Sequence, residues 1–217
     1  NHLHQAAETY RGGLLLAGEH PQLFANEALR GLARISYEWN DLEAAERYGQ
    51  QSLHLARLYD RVIDRYILSE LFLARLKLAR DDVAGAAALL AETARSVREN
   101  NFVHRVPDAA AAEVLVLLRQ GDLAAAARLA EQHELPISRA RVLLARGDPS
   151  AALAVLEPVR RQMEAKGWQV ERLRVMVLQA VAHHAHGEKH DAARVLGETL
   201  ALAEPEGFMR LFVDEGE

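Results

Sequence analysis

Residues 120–130 read QGDLAAAARLA, and this stretch decides how the rest of the chain is read. A glycine able to take left-handed backbone closes one helix. The aspartate after it suits the start of the next, both as a cap and by its charge. The alanine five residues beyond the glycine falls about one turn into the second helix, where two helices crossing closely leave room only for a small side chain. The same arrangement returns as WNDLEAAERY from Trp39, RDDVAGAAALL from Arg80, RGDPSAALAVL from Arg146 and HGEKHDAARVL from His186. Its alanines are Ala45, Ala86, Ala126, Ala152 and Ala192. The opening NHLHQAAETY fits the register with Ala6, giving successive spacings of 39, 41, 40, 26 and 40.

A recurrence near 40 residues marks stacked helical units. Before the turns lie stretches with apolar residues at helical spacing, among them NEALRGLARISYE (26–38), YILSELFLARLKLA (66–79) and VERLRVMVLQAVAHHA (170–185), so each unit is predicted to be a helix pair. The short interval predicts one compressed unit, with brief helices around LAEQHEL and PISRARVLLA. Composition agrees: half the residues are apolar, only 6% are aromatic, and Ala, Leu, Glu and Arg dominate, which favours helix over sheet. The expectation is an all-α, right-handed superhelix of antiparallel helix pairs with about ten or eleven helices. Residues 1–203 form the repeats. Within them 1–19 is an orphan second helix, and units occupy 20–59, 60–101, 102–134, 135–167 and 168–203. Residues 204–217 form a C-terminal cap and linker. A chain that opens on Asn1 rather than Met, with a half-unit, is expected to be an excised piece.

The net charge is −5 with acids and bases interspersed, which argues against direct nucleic-acid contact, since a duplex requires a concentrated basic patch. Without cysteine there is no disulfide, thiolate metal site or thiol nucleophile. No apolar run approaches a membrane span and no secretory leader opens the sequence, so a cytoplasmic protein with no membrane contact is expected. Serines lie in plain helical or turn contexts without a nucleophile elbow, and no phosphate loop occurs. No catalytic residue, metal ligand or cofactor is assigned to this segment.

Six residues before each turn, Arg34, Arg75, Leu115, Arg141 and Val181 share one position, expected to face the concave groove. The three arginines could bind a carboxylate, a phosphate or a peptide C-terminus; pairing with acids on neighbouring helices is the competing reading. Of the aromatic residues near first-helix surfaces (Tyr37, Trp39, Tyr66, Phe72 and Trp168), Tyr37 and Phe72 join the arginines as candidate ligand contacts, with core packing as the alternative. His183, His184, His186 and His190 in HHAHGEKH offer metal-ligating groups, but they straddle a turn without metal spacing and read as a solvated helix end.

The turns and small-residue positions resemble the tetratricopeptide repeat. The last 40 residues, LQAVAHHAHGEKHDAARVLGETLALAEPEGFMRLFVDEGE (178–217), resemble the end of the repeat domain in MalT-like regulators of the LuxR type. The resemblance implies a multidomain parent with an ATP-dependent N-terminal domain, helical repeats that sense an inducer, and a C-terminal helix-turn-helix that reads DNA. It implies a small-molecule inducer, a carbohydrate being conceivable, or a peptide or protein partner in the groove. The alternative is a scaffold for a protein or peptide with no small ligand. Within the final stretch the second helix is expected to end before Pro205, with the turn at Glu206–Gly207. Phe208, Arg210 and Phe212 are expected to cap the open apolar end and to couple it towards the DNA-binding domain that the resemblance implies. The oligomeric state is not read from the sequence.

Overall fold

In a computed structural model of the chain, residues 2–17, 23–59 and 64–216 are described. Among them there are twelve α-helices and no strand. The helices are α1 (Leu3–Ala17), α2 (Leu23–Glu38), α3 (Leu42–Tyr59), α4 (Arg65–Ala79), α5 (Val83–Glu99), α6 (Val106–Arg119), α7 (Leu123–Gln132), α8 (Pro136–Ala145), α9 (Pro149–Ala165), α10 (Gln169–His186), α11 (Lys189–Ala203) and α12 (Arg210–Val213). Single 3-10 turns at Val103–Arg105 and Glu204–Glu206 precede α6 and succeed α11. The all-α repeat expected from the turns is the fold found, with one helix more than expected because the C-terminal stretch includes the four-residue α12. The expected unit boundaries at 19/20 and 59/60 involve residues 18–22 and 60–63, which lie outside the described set.

The turns explain the repeat. Asn40, Asp81, Gly121, Gly147 and Gly187 all have positive φ, between 62° and 92°. At each, the amide one residue on donates back to the carbonyl five residues before it, as in Asp122 to Leu117 (3.0 Å) and Asp148 to Leu143 (2.9 Å). The left-handed residue's own amide bonds the carbonyl three back, completing a Schellman closure. The next aspartate then caps the second helix. Asp41, Asp82, Asp122 and Asp148 accept from the amides of Ala44 (3.0 Å), Gly85 (2.8 Å), Ala125 (2.9 Å) and Ala151 (3.0 Å). In the fifth turn Glu188 makes no such cap.

A second family of turns, with no common residue at the left-handed position, follows the pairs. Asn101, Glu134, Gly167 and Gly207 have φ of 55°, 51°, 69° and 73°, and close their helices with the same hydrogen bonds. Here the next residue is apolar rather than acidic: Phe102, Leu135, Trp168 and Phe208. An apolar residue at this point is the usual companion of the Schellman closure, and the switch from acid to apolar distinguishes the two turn types.

The alanines at the crossings are buried: Ala45, Ala86, Ala126 and Ala152 have no exposed surface, and Ala192 has 8%. The first position shifts. Ala7, not Ala6, is fully buried, packed with Leu32 and Ile35 of α2.

Two compact units make up the chain, His2–Val116 and Leu117–Glu217. In the first, α1 packs on α2, α2 on α3, α3 on α4 and α4 on α5. One core cluster holds Tyr37, Ala45, Leu53, Leu73 and Leu76, and another Ala74, Leu78, Ala86, Leu90 and Val116. Gly31 admits the Tyr10 ring against α2, where a methyl would overlap it. In the second unit α8, α9 and α10 enclose Ala140, Ala152, Leu156, Val175 and Leu178, while Met176, Ala180 and Val195 join α10 to α11.

Candidate functional site

A seam of buried polar side chains crosses the first unit from α2 to α5. Asn26, Ser52, Ser69, Glu70 and Thr93 are each 5% exposed or less. Buried polar groups destabilise unless bonded, and these are bonded. The Ser52 hydroxyl donates to Asn26 Oδ1 (2.6 Å) and lies 3.0 Å from Ser69 Oγ. Thr93 Oγ1 lies 2.9 Å from both Glu70 Oε2 and the Leu89 carbonyl. Arg57 donates from Nη2 to Glu70 Oε1 at 2.8 Å.

The seam opens at a cleft of about 480 Å³ lined by Arg57, Tyr66, Glu70, Glu92 and Ser96, from α3, α4 and α5. Tyr66 packs edge-on to Phe102, and its hydroxyl lies 2.6 Å from Ser96 Oγ. Arg57 is 58% exposed beyond its bond to Glu70, and Glu92 is exposed. The lining thus offers one guanidinium matched by a buried carboxylate, one open carboxylate and two hydroxyls. It suits a polar ligand rich in hydrogen-bond donors better than a phosphate, whose charge Glu70 and Glu92 would oppose.

Near the start of α4, Asp64 is bonded to His104 Nε2 (2.5 Å) and to Arg105 Nε. Arg105 also bonds Asp108 at 3.0 Å. Burial alone would raise the Asp64 carboxyl, but hydrogen bonds from Arg105 and His104, with their charges, hold it below the usual carboxylate range. This group ties α4 to the turn before α6.

The side chains expected at the ligand surface are mostly engaged internally. Tyr37 is 2% exposed and belongs to the core, which removes it from any groove. Phe72 meets the Tyr37 ring edge-on and packs over Gly49, where an added methyl would lie 3.0 Å from the ring. Arg75 stacks over Tyr37 at 4.5 Å and pairs with Glu38 at 3.8 Å. Arg141 is bound by Glu215, with Nε at 3.0 and 3.2 Å from its two oxygens and Nη2 bonded as well. Arg34 is exposed. For Arg75 and Arg141 the competing reading, pairing with acids elsewhere in the fold, is what the structure contains. Of the other aromatics, Trp39 stacks on His4 (5.0 Å) and Trp168 carries Lys166 over its ring (4.5 Å).

At the C-terminus α11 stops at Ala203, Pro205 lies within the 3-10 turn, and Gly207 turns the chain. Phe208 is 5% exposed, Leu211 1% and Phe212 half-buried, while Arg210 is buried and pairs with Asp214. His183 and His186 converge on Glu188 at 2.6 and 3.2 Å. The His183 hydrogen bond and the charges of both rings outweigh slight desolvation and lower the Glu188 carboxyl. That carboxylate is therefore engaged by the preceding helix instead of capping the next. No group of three or more His, Asp or Glu side chains is arranged to hold a metal ion among the described residues, nor is any helix there long and apolar enough to cross a membrane.

Of the cleft, Tyr66 alone stood out in the sequence. Arg57, Glu70, Glu92 and Ser96 sit in ordinary helical text, and only polar residues at spacings that should be apolar (Ser52, Ser69, Thr93) hinted at a polar interior.

The whole chain, residues 1–217, matches the family model described as the MalT-like TPR region. Among curated proteins it is similar to the HTH-type transcriptional regulator MalT of Cronobacter sakazakii, 29% identical over 205 residues, covering 87% of this chain and 22% of the relative. It is likewise similar to the HTH-type transcriptional regulator MalT of Klebsiella pneumoniae, at 27% identity over the same shares. The chain therefore spans about a fifth of the length of the relatives it matches. With its paired helices, two alternating turn types and buried alanine crossings, it belongs to the MalT-like TPR region family.

Proposed function

We propose that this chain is the effector-sensing and protein-interaction region of a LuxR-type transcriptional regulator, with its small-molecule site at the α3–α4–α5 cleft. The match of all 217 residues to a repeat region found in transcriptional regulators carries the regulatory reading. That region is a regulatory element and not a catalytic domain. The cleft supports the sensing role, since its volume is in the range of small-molecule sites and its polar groups converge from three helices. Hydroxyl-rich ligands, including carbohydrates, satisfy its donors and acceptors. ATP, if used, belongs to another domain of the parent, DNA contact likewise, and the setting is the cytoplasm.

Arg34, with the accessible parts of Phe72 and Arg75, is the candidate contact for a peptide or protein. The test is calorimetric titration of the chain with sugars, amino acids and nucleotides, repeated with Arg57→Ala and Glu92→Gln. Saturable binding weakened at least tenfold by either substitution is expected. Binding that survives both relocates the site, and the absence of any small-molecule binding beside a partner peptide held through Arg34 and Arg75 establishes the scaffold alternative.

A further inference from the structure

Arg141 sits on α8, six residues before Gly147, at the repeat position that Arg34 and Arg75 also take. Its occupant is Glu215, 74 residues further along the chain and held in a two-pronged contact. The arginine side chain is 19% exposed and the carboxylate 9%. A planar guanidinium fork matched to both oxygens is the geometry by which proteins recognise carboxylates in general.

The segment that delivers this carboxylate is weakly built by itself. α12 has four residues, too few to be stable alone, and Met209 and Val213 are 50% and 43% exposed. Phe208 and Leu211 anchor its start by burial, and Arg210 with Asp214 forms a pair within the helix. Beyond Leu211, the bond from Arg141 to Glu215 ties the segment across to α8.

We propose that Arg141 is a carboxylate-binding site whose built-in occupant is Glu215. An external carboxylate, from a small organic acid or a peptide, binds there by displacing Glu215 and unseats residues 212–216. The exchange is one ion pair for another, so it requires no net desolvation of the arginine and is reversible. The site stands apart from the α3–α4–α5 cleft and does not depend on that assignment.

Hydrogen exchange read by mass spectrometry on the full chain tests this. With wild-type protein, succinate is compared with sodium chloride at equal ionic strength, and a synthetic peptide of residues 213–217 is compared with its Glu215→Gln form. Glu215→Gln protein is measured alongside. Exchange of residues 212–216 is expected to rise at least tenfold in the variant and with saturating succinate or acidic peptide, with α8 and α10 unchanged. Stronger action by succinate identifies a small acid as the ligand type, and stronger action by the peptide identifies a chain segment. Binding of succinate should tighten in Glu215→Gln and vanish in Arg141→Gln. The proposal is overturned if neither probe exceeds chloride, or if the variant exchanges like wild type. It is overturned too if α8 and α10 open together with the tail, which would make the pair a structural tie.

Discussion

At Asp122 and Asp148 one residue does two jobs: its backbone amide closes the helix before, and its carboxylate caps the helix after. Removing the carboxylate leaves the closure intact and removes only the cap. Asp122→Ala and Asp148→Ala should each lower stability by about 1 kcal/mol, read as a fall in urea midpoint at unchanged slope. Glu188→Ala, at the equivalent position without a cap, should show no comparable loss. Asp64 makes a pH prediction. Its folded carboxyl is held below its unfolded value, so its contribution is present above about pH 4 and is lost as pH falls through the folded value. Chemical denaturation between about pH 7 and pH 2.5 should therefore show a steeper acid decline for wild type than for Asp64→Asn, with the two curves converging at the acid end. Parallel curves would mean that the Arg105 and His104 bonds add nothing.

At the scale of the element, length turns out to be quantised. Successive left-handed residues from Asp81 to Asn101, Gly121, Glu134, Gly147, Gly167, Gly187 and Gly207 lie 20, 20, 13, 13, 20, 20 and 20 residues apart. Each interval in the compressed unit is seven residues shorter (20 − 13), close to two full turns, so caps and buried faces keep their direction. A loss far from a whole number of turns would rotate one end of the helix away from its neighbour. The same logic defines the C-terminal stretch. Gly207–Phe208 is a turn between pairs, and Phe208 is the apolar residue that such turns carry, here buried. Replacing Phe208 and Phe212 with Ser should cost about 3 kcal/mol or more and should raise exchange in α11 and residues 207–216. Unchanged melting and unchanged protection there would show that these rings cap nothing.

For the molecule as a whole, the sequence was readable where chemistry forced one choice. Five acid-bearing turns and their alanines specified the pairing of helices, because left-handed backbone, capping and close crossing each admit few residue types. The turns that follow the pairs carry no common residue at the left-handed position, since Glu134 is no turn former, so among them only Glu206–Gly207 was read as a turn, although the expected units also end at residues 101, 134 and 167. What the repeated arginines meet inside the fold was not legible either. Spacing gives Arg75 and Arg141 the same position in their repeats, but it cannot tell that Glu38 and Glu215 pair with them. The cleft stayed invisible because Arg57, Tyr66, Glu70, Glu92 and Ser96 come from three helices at no regular interval.

For this MalT-like repeat region, small-molecule sensing at that cleft is the role proposed above. Native mass spectrometry of the chain incubated with a bacterial small-molecule extract tests it directly, using wild type beside Arg57→Ala and Glu92→Gln. The expected result is one retained small-molecule adduct on wild type that is lost from both variants while their folded charge-state pattern is kept. An adduct equally abundant on all three proteins, or none on wild type, would contradict it.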